Sequence, residues 1–158
     1  MREDHLYRPG VGLMILNKDG HIFMGERMRS SGEFQMPQGG IDEGEEIEAA
    51  VFRELYEETG IKNANILSTL DDWLYYDFPD AWRKRLFQGR YKGQRQKWFL
   101  LEFVGDESEI DLQADDIQEF STYKWASIQD VPDMAIAFKR DMYYHVCKMF
   151  QSFLDDNL

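Results

Sequence analysis

Residues 39–61 read GGIDEGEEIEAAVFRELYEETGI and hold most of the net negative charge of the chain. Eight acidic residues and one basic residue, Arg53, give this stretch a net charge of −7, whereas the whole chain of 158 residues carries −12. The glycines that open the stretch permit loop conformations closed to other residues, and Gly60 is typical of the end of a helix. The pattern therefore predicts a loop, an acidic helix and a second loop.

Helical geometry places part of this charge on the inward side of the predicted helix. At about 100° per residue, its apolar residues form one stripe that should face the core. Glu54 and Glu58 fall inside that stripe, and Glu57 lies beside them. Carboxylates held together at a partly buried surface are costly, and Arg53 alone cannot neutralise three of them. A divalent cation with oxygen ligands, Mg²⁺ or Mn²⁺, could do so; the alternative is a solvated acidic helix face.

The spacing within this stretch resembles the signature box of the Nudix hydrolases. Gly39, Glu45 and the run from Arg53 to Ile61 stand at its defining positions without a departure. That family hydrolyses a nucleoside diphosphate linked to another moiety and uses divalent metal held by glutamates of the box. The resemblance implies a set of catalytic residues comprising Arg53, Glu54, Glu57, Glu58 and Glu119, and a set of metal ligands comprising Gly39, Glu54, Glu57, Glu58 and Glu119. Arg53 would orient a carboxylate, and Glu45 would brace the loop.

Further similarity extends over nearly the whole chain and favours one branch of the family. YRPGVG at residues 7–12, GQRQKWF at residues 93–99 and FKR at residues 138–140 are similar to the RNA pyrophosphohydrolases and dinucleoside polyphosphate hydrolases. Residues 77–88 resemble that branch least. The substrate-binding residues proposed on this basis are Arg8, Arg27, Gln38, Gly39, Gly40, Tyr76, Gln94, Lys97, Phe138, Lys139 and Arg140. Phe138 is the first choice for stacking on a base, and Tyr76 is the second.

A second charge cluster follows at residues 83–97, which contain seven basic residues and no acidic one. Trp82, Phe87, Tyr91 and Trp98 are interleaved with these bases, a composition typical of phosphate contact combined with base stacking. Positive charge beside an acidic metal site would suit a highly anionic substrate, because it offsets the repulsion between carboxylates and phosphates. The alternative is a solvated, bendable loop.

Composition limits the remaining possibilities. A chain of 158 residues with 43% hydrophobic residues predicts a single domain over residues 1–158. Cys147 is the single cysteine, so no internal disulfide can form, and its apolar helical setting predicts a buried, inert thiol without a disulfide-linked partner. No signal peptide and no membrane-spanning run is expected, which favours a reducing cytoplasm. The oligomeric state is left open.

The order of elements predicts an α/β fold. We expect strands at residues 11–16, 21–28, 34–36, 66–76, 98–104 and 122–126, an acidic loop at 110–119, and an amphipathic helix at 138–154. The inward stripe of that last helix would include Met142, Val146, Met149 and Phe150. Ser127 would cap a short turn. This order suggests a mixed sheet between helices and agrees with the α/β/α sandwich that the family resemblance implies.

We therefore expect hydrolysis of phosphoanhydride bonds that depends on Mg²⁺ or Mn²⁺, with more than one ion. The preferred reaction is removal of pyrophosphate from 5′-triphosphorylated RNA, because the basic segment is longer than a dinucleotide requires. Hydrolysis of dinucleoside polyphosphates such as diadenosine tetraphosphate is the alternative, and a binding module without catalysis is a third. A free box glutamate and Glu119 are both candidates for the general base.

Overall fold

A mixed eight-stranded sheet forms the centre of the computed structural model, which describes residues 3–157. The strands are β1 (Tyr7–Leu16), β2 (Ile22–Arg27), β3 (Phe34–Gln35), β4 (Gln38–Gly40), β5 (Ala64–Thr69), β6 (Leu74–Asp77), β7 (Gly93–Phe103) and β8 (Phe120–Ala126). Five of them follow one another in the order β3-β2-β1-β7-β5. The remaining three pair with inner strands: β4 with β1, β6 with β7 and β8 with β2. Only the pairing of β1 with β7 is parallel among these.

Helices cover both faces of this sheet. They are α1 (Ile47–Thr59), α2 (Asp80–Arg83), α3 (Val131–Met134) and α4 (Arg140–Asn157). Short 3₁₀ turns occupy Asp4–Leu6, Leu86–Gly89, Glu107–Glu109, Ile128–Asp130 and Ala137–Lys139. Within residues 3–157 no helix combines the length and the apolar character needed to cross a bilayer.

Alternation along β1 explains why two layers of helix can pack on it. Leu13 and Ile15 face the core beneath α1, whereas Met14 faces the core beneath α4. Every residue from Gly10 to Ile15 is buried, as expected for a strand covered on both sides. The predicted α/β/α sandwich with a mixed sheet is confirmed.

The helix predicted from the acidic stretch is α1, and it ends where glycine allows. Gly60 has φ of 75°, a left-handed conformation, and its N–H donates to the Tyr56 carbonyl at 2.8 Å. Glu54 and Glu58 are buried, as their place in the apolar stripe predicts, with 8% and 5% of their surface exposed. The helix therefore carries two carboxylates into a partly buried site.

Three strand predictions differ from the structure. The strand expected at residues 11–16 begins four residues earlier, at Tyr7. The strand expected at residues 66–76 is two strands, β5 and β6, because each pairs with a different half of the long strand β7. The strand expected from residue 98 begins earlier, at Gly93, so the last part of the basic segment belongs to the sheet. That segment is thus not one bendable loop: α2 ends in it, a 3₁₀ turn crosses it, and β7 takes up its end.

The C-terminal helix agrees with prediction except at one position and at its two ends, since it continues beyond residue 154 to Asn157. Residues 137–139 form a 3₁₀ turn ahead of α4. Met142, Val146 and Phe150 are buried, whereas Met149 is 46% exposed and does not belong to the inward stripe. Cys147 is buried, and burial raises the pKa of its thiol to about 12. Ser127 stands at the N-cap of a 3₁₀ turn, and its hydroxyl donates to the Asp130 carboxylate.

Candidate active site

The box segment, residues 39–61, approaches β1 closely through its glycines. The short strand β4 pairs antiparallel with β1, so that Gly39 lies opposite Val11 and Gly40 opposite Gly10. A Cβ at residue 39 would overlap the carboxyl group of Glu54. Glycine is therefore needed here to bring strand backbone against a helix carboxylate, and this contact forms a cradle of oxygen atoms.

Arg53 holds the loop and two carboxylates together. Its Nε and Nη2 donate to the two oxygens of Glu45 at 2.8 and 2.9 Å, and Nη2 also donates to the Gly40 carbonyl at 2.7 Å. Its Nη1 donates to Glu54 at 2.8 Å and to Glu57 at 3.2 Å. These are the contacts expected of a residue that orients carboxylates, with Glu45 as the brace.

Glu58 is held separately, by the backbone of the loop. Its Oε1 accepts a hydrogen bond from the Gln38 N–H at 3.0 Å. Burial raises the pKa of Glu58 well above its usual value, and the nearby charges of Glu54 and Glu119 raise it further. The buried carboxylates Glu54 and Glu58 therefore influence each other, and the exposed carboxylate of Glu119 adds its charge from the edge of the site.

Burial and a neighbouring arginine act in opposite directions on the pKa of Glu54. Burial raises the pKa of its carboxyl to about 7 against the opposing influence of Arg53, and Glu57 adds to the rise. In contrast, the hydrogen bonds from Arg53 lower the pKa of Glu45 to about 2. Arg53 donates two hydrogen bonds to Glu45 but only one to Glu54, and within residues 3–157 its hydrogen-bond partners do not include Glu58. Burial of Glu54 and Glu58 is therefore only partly compensated by this arginine.

This donor set fits a divalent cation by its chemistry. All of the candidate ligands offer oxygen, which suits Mg²⁺ and Mn²⁺. Within residues 3–157 no three acidic, histidine or cysteine side chains are already gathered in a metal-binding arrangement, and Glu54 and Glu57 instead contact Arg53. The residues that would hold a cation are Glu54, Glu57, Glu58, Glu119 and the backbone of Gly39.

A cleft of about 460 Å³ opens beside these carboxylates. Nearly all residues proposed from the sequence line it: Arg8, Arg27, Gln38, Gly39, Gly40, Glu54, Glu57, Glu58, Tyr76, Gln94, Glu119, Phe138 and Lys139. Arg53 lies behind them and acts through its contacts with Glu54 and Glu57. The tertiary structure therefore brings together acidic residues from α1 and a later loop with basic residues from β1, β2 and the C-terminal region.

Lys97 and Arg140 are exceptions and do not line the cleft. Lys97 lies on β7, where Gln94 and Gln96 share one face and Lys97 lies on the other; its ammonium donates to the Asp71 carbonyl. Arg140 is exposed at the start of α4, and its Nε donates to the Ala135 carbonyl at 3.0 Å. Both assignments to the substrate site are therefore corrected.

A hydrogen-bonded network of glutamine amides lies at the cleft. The sequence predicted Gln38 and Gln94 as site residues but not Gln35 and Gln96. Lys139 Nζ donates to Gln35 Oε1 at 3.1 Å and to Gln38 Oε1 at 3.4 Å. Gln96 Nε2 donates to the same Gln38 oxygen at 2.8 Å and to Gln94 Oε1 at 3.2 Å. Burial lowers the pKa of Lys139 to about 7, and Arg27 lowers it further. Glutamines inside strands were the available signal for Gln35 and Gln96.

Aromatic side chains make up another part of the cleft. Phe138 is half-buried and contacts Tyr76, with ring centroids 5.6 Å apart. Tyr76 is only 7% exposed, which leaves Phe138 as the more accessible surface for stacking on a base. Sequence reasoning did not assign to the site the other lining residues: Gln35, Phe78, Trp82, Leu86, Phe87, Asp115 and Ile117. The aromatic residues interleaved with bases were the signal for two of them.

Comparison with known proteins agrees with this geometry. The family model described as NUDIX domain matches residues 6–146. An RNA pyrophosphohydrolase of Wolbachia pipientis subsp. Culex pipiens is 41% identical over 156 residues, covering 99% of this chain and 96% of its own length. An RNA pyrophosphohydrolase of Mesorhizobium japonicum is 46% identical over 160 residues, covering 94% and 92%.

A solved structure supports the fold. The C. elegans Ap4A hydrolase in a binary complex superposes with a TM-score of 0.70 at 22% identity, covering 94% of this chain and 98% of its own. At that identity the likeness concerns the fold alone. The family model and the relatives together show that this chain belongs to the Nudix hydrolase family, defined by its NUDIX domain.

Proposed function

We propose that this protein removes pyrophosphate from the 5′ end of triphosphorylated RNA in a reaction that requires Mg²⁺ or Mn²⁺. The observation that carries the proposal is one cleft that contains five carboxylates and three basic side chains. The carboxylates are Glu54, Glu57, Glu58, Asp115 and Glu119, and the basic residues are Arg8, Arg27 and Lys139. Such a cleft suits a polyanionic chain bound through metal and through direct contacts with phosphate oxygens. Relatives that are named RNA pyrophosphohydrolases support the choice of RNA.

In this mechanism the chain positions the phosphates and the proton acceptors. Bound Mg²⁺ would supply Lewis-acid stabilisation of the charge that develops on phosphate oxygens. Arg53 orients Glu54 and Glu57 through hydrogen bonds of 2.8 and 3.2 Å. Arg8, Arg27 and Lys139 bind phosphate oxygens directly. Water attacks one phosphorus of the phosphoanhydride, and the bond between that phosphorus and the bridging oxygen breaks, so that pyrophosphate separates from the 5′-monophosphorylated RNA. Either Glu119 or a box glutamate accepts the proton of the attacking water.

Hydrolysis of dinucleoside polyphosphates is a second candidate, favoured by a specific observation. The cleft is lined by two aromatic contacts, between Tyr76 and Phe138 and between Phe78 and Phe87. Two aromatic surfaces are compatible with two bases, one at each end of a polyphosphate. A binding module without catalysis is the least favoured, because Arg53 is present with hydrogen bonds to Glu45, Glu54 and Glu57.

One assay distinguishes these candidates. Purified protein with Mg²⁺ is given triphosphorylated RNA and diadenosine tetraphosphate in parallel, and the products are separated by chromatography. We expect pyrophosphate and 5′-monophosphorylated RNA, with a higher kcat/KM for RNA than for the dinucleotide. The Glu57→Gln protein, purified identically, controls for contaminating hydrolases. A higher kcat/KM for the dinucleotide would support the second candidate, and no turnover of either would support the third.

The metal requirement has its own test. Mg²⁺ or Mn²⁺ should raise the Tm of the purified protein, because the cation binds carboxylates that are close together only in the folded state. Na⁺ at matched ionic strength should raise it much less. Equal stabilisation by both salts would indicate general screening and would contradict a specific site.

We further propose that the protein works in a reducing cytoplasm. The sequence supports this location, because its single cysteine, Cys147, provides no pair for the internal disulfides that are typical of oxidising compartments.

A further inference from the structure

Two arginines in the cleft lie over aromatic rings and have few contacts with carboxylates. Within residues 3–157 Arg8 forms no ion pair, and Arg27 forms a single one, of 3.5 Å, with Glu33. The guanidinium of Arg8 lies over the ring of Phe87, 4.5 Å from its centroid. The guanidinium of Arg27 lies 5.4 Å from the ring centroid of Trp82. Both distances fall within the range of cation–π attraction.

Both rings come from one short segment, residues 78–89, which we call the aromatic wall. It contains α2 and the 3₁₀ turn Leu86–Gly89, and it includes most of the part of the chain that least resembles the family branch. Its start is anchored by the Phe78 N–H, which donates to the Lys92 carbonyl at 2.8 Å. The backbone N–H of Lys92 in turn donates to the Leu6 carbonyl at 2.8 Å. Leu6 lies two residues before Arg8 in the sequence. The aromatic wall is thereby fixed beside the start of β1.

The rings are supported by further aromatic contacts within the cleft. Phe87 stacks on Phe78, with centroids 6.2 Å apart and planes at 28°. The rings of Trp82 and Phe138 meet in a T-shaped arrangement, with their centroids 5.1 Å apart. Phe87 thus has a ring packed on it and a guanidinium above it, although 39% of its surface is exposed. These neighbours restrict where each ring, and therefore each arginine, can lie.

The backbone at Phe87 has an unusual conformation. Phe87 and Gln88 have φ of 49° and 59°, and Gly89 follows with 73°. Left-handed conformations are unfavourable for residues with a Cβ, so two consecutive ones persist only where other contacts compensate. Here the compensating contacts are those that place the Phe87 ring against Phe78 and Arg8.

Stacking leaves the donors of a guanidinium available. A guanidinium presents its N–H groups in its own plane, so contact with a ring through its face does not consume them. The Arg8 guanidinium also lies against the backbone of Gly40, where a Cβ would overlap it, and Gly40 is next to the cradle formed by Gly39 and Glu54. The planar donors of Arg8 are therefore held beside the predicted metal ligands without a carboxylate to occupy them.

We propose that Phe87 and Trp82 are positioning residues that hold Arg8 and Arg27 for the oligophosphate chain of the substrate. The aromatic wall determines how tightly phosphates bind, while the carboxylates determine the chemical step. This inference rests on the proposed function only in assuming that the ligand contains linked phosphates. It assigns a role to the aromatic wall, which belongs neither to the box segment nor to the predicted metal site.

The test is a double-mutant cycle on binding. The ligand is a tripolyphosphate analogue with methylene groups in place of the bridging oxygens, and its Kd is measured by calorimetry with Mg²⁺ present. Phe87→Leu should weaken binding about fivefold, the size expected for loss of one cation–π contact, whereas Phe87→Tyr should retain wild-type affinity. Arg8→Gln should weaken binding less in the Phe87→Leu protein than in the wild type, because the two residues act together. Tyr144→Leu, which removes an exposed aromatic ring outside the cleft, should change nothing.

Turnover of triphosphorylated RNA distinguishes a positioning role from a purely structural one. If Phe87 positions Arg8, Phe87→Leu should raise KM about fivefold and leave kcat within twofold. Equal loss of affinity in Phe87→Leu and Phe87→Tyr, or additive effects of Phe87→Leu and Arg8→Gln, would overturn the proposal. If Phe87→Leu lowers the Tm strongly, the cycle of Trp82→Leu with Arg27→Gln decides by the same criteria. Coupling in the binding cycle without RNA hydrolysis would contradict the proposed function and leave this inference intact.

Discussion

The box segment and the aromatic wall line the same cleft, but different kinds of contact hold their side chains. In the box segment, Arg53 binds Glu45, Glu54 and Glu57, which all lie within 8 residues of it in the sequence. In the aromatic wall, the rings contact Arg8 and Arg27, which belong to β1 and β2. The chemistry of the site therefore depends on local spacing, whereas the placement of its substrate-binding arginines depends on strands brought together by the fold.

Glu57→Gln should produce the largest effect, because it removes a proposed metal ligand from the box segment. Metal acting as a Lewis acid contributes several kcal/mol at the transition state, and each ~1.4 kcal/mol is a tenfold change in rate. We expect kcat to fall on the order of a thousandfold while the fold is kept. Turnover of triphosphorylated RNA at saturating Mg²⁺ measures this.

The matched control is Glu48→Gln, on an exposed position of the same helix. It should retain full activity. A folded Glu57→Gln protein with more than about a tenth of wild-type kcat would exclude Glu57 as a ligand, and the contrast between box segment and aromatic wall would lose its basis.

Glu54→Gln should stabilise the metal-free protein in a way that depends on pH. The folded-state pKa of Glu54 is about 7, above the ordinary value of 4.5, so the folded state binds the proton more tightly than the unfolded state. The resulting stability is fully present below about pH 4.5 and is lost as pH rises through about 7. With allowance for water in the cleft, we expect Glu54→Gln to increase the free energy of unfolding by ~1–2 kcal/mol at pH 8 and by much less at pH 5.

Urea unfolding with EDTA at both pH values measures this change, and Glu48→Gln is again the control. The opposite result, destabilisation of similar size at pH 5 and pH 8, would mean that the ion pair between Arg53 and Glu54 outweighs the cost of burial. The carboxylates would then need no cation to compensate them.

Removal of charge from the exposed side of the aromatic wall should have the smallest effect and tests the substrate. Arg83, Lys84 and Arg85 are exposed and do not line the cleft. Their joint replacement by alanine should weaken RNA binding severalfold and flatten its salt dependence, since each phosphate contact contributes roughly 0.7 to the slope for single strands. Diadenosine tetraphosphate should be affected little, because its phosphates would be bound within the cleft.

Catalytic efficiency on both substrates at two salt concentrations provides the measurement. An equal loss on both would mean that the three bases belong to the polyphosphate site and would remove the support for RNA. No change on either would show that this side of the aromatic wall is only a solvated surface. The Phe87→Leu protein separates the inner side of the aromatic wall from this outer one.

Several features of the site followed from sequence because they depend on short-range periodicity. Helical spacing placed Glu54 and Glu58 on the inward side of α1, and both are buried. Gly60 marked the end of that helix, and the left-handed conformation there is one that glycine adopts without cost. The composition of residues 83–97 indicated phosphate binding, although neither their structure nor which of them face the cleft could be read from it.

Other features depended on strand register and on contacts between distant segments. Lys97 was assigned to the substrate site, but its place on β7 directs it to the face opposite Gln94. The single predicted strand at residues 66–76 became two because β7 is long enough to pair with both.

Sequence alone therefore determined the family, the acidic helix and the type of chemistry, since the box is a local pattern whose spacing fixes which side chains share a helix face. Tertiary structure decided which bases and rings reach the cleft. The pairing of β1 with β4 and β7 places Arg8 against Gly40, and the fold of residues 78–89 places Phe87 on Arg8. The physical reason is that a strand exposes alternate residues to opposite faces, and only its neighbours determine which face lies on the site.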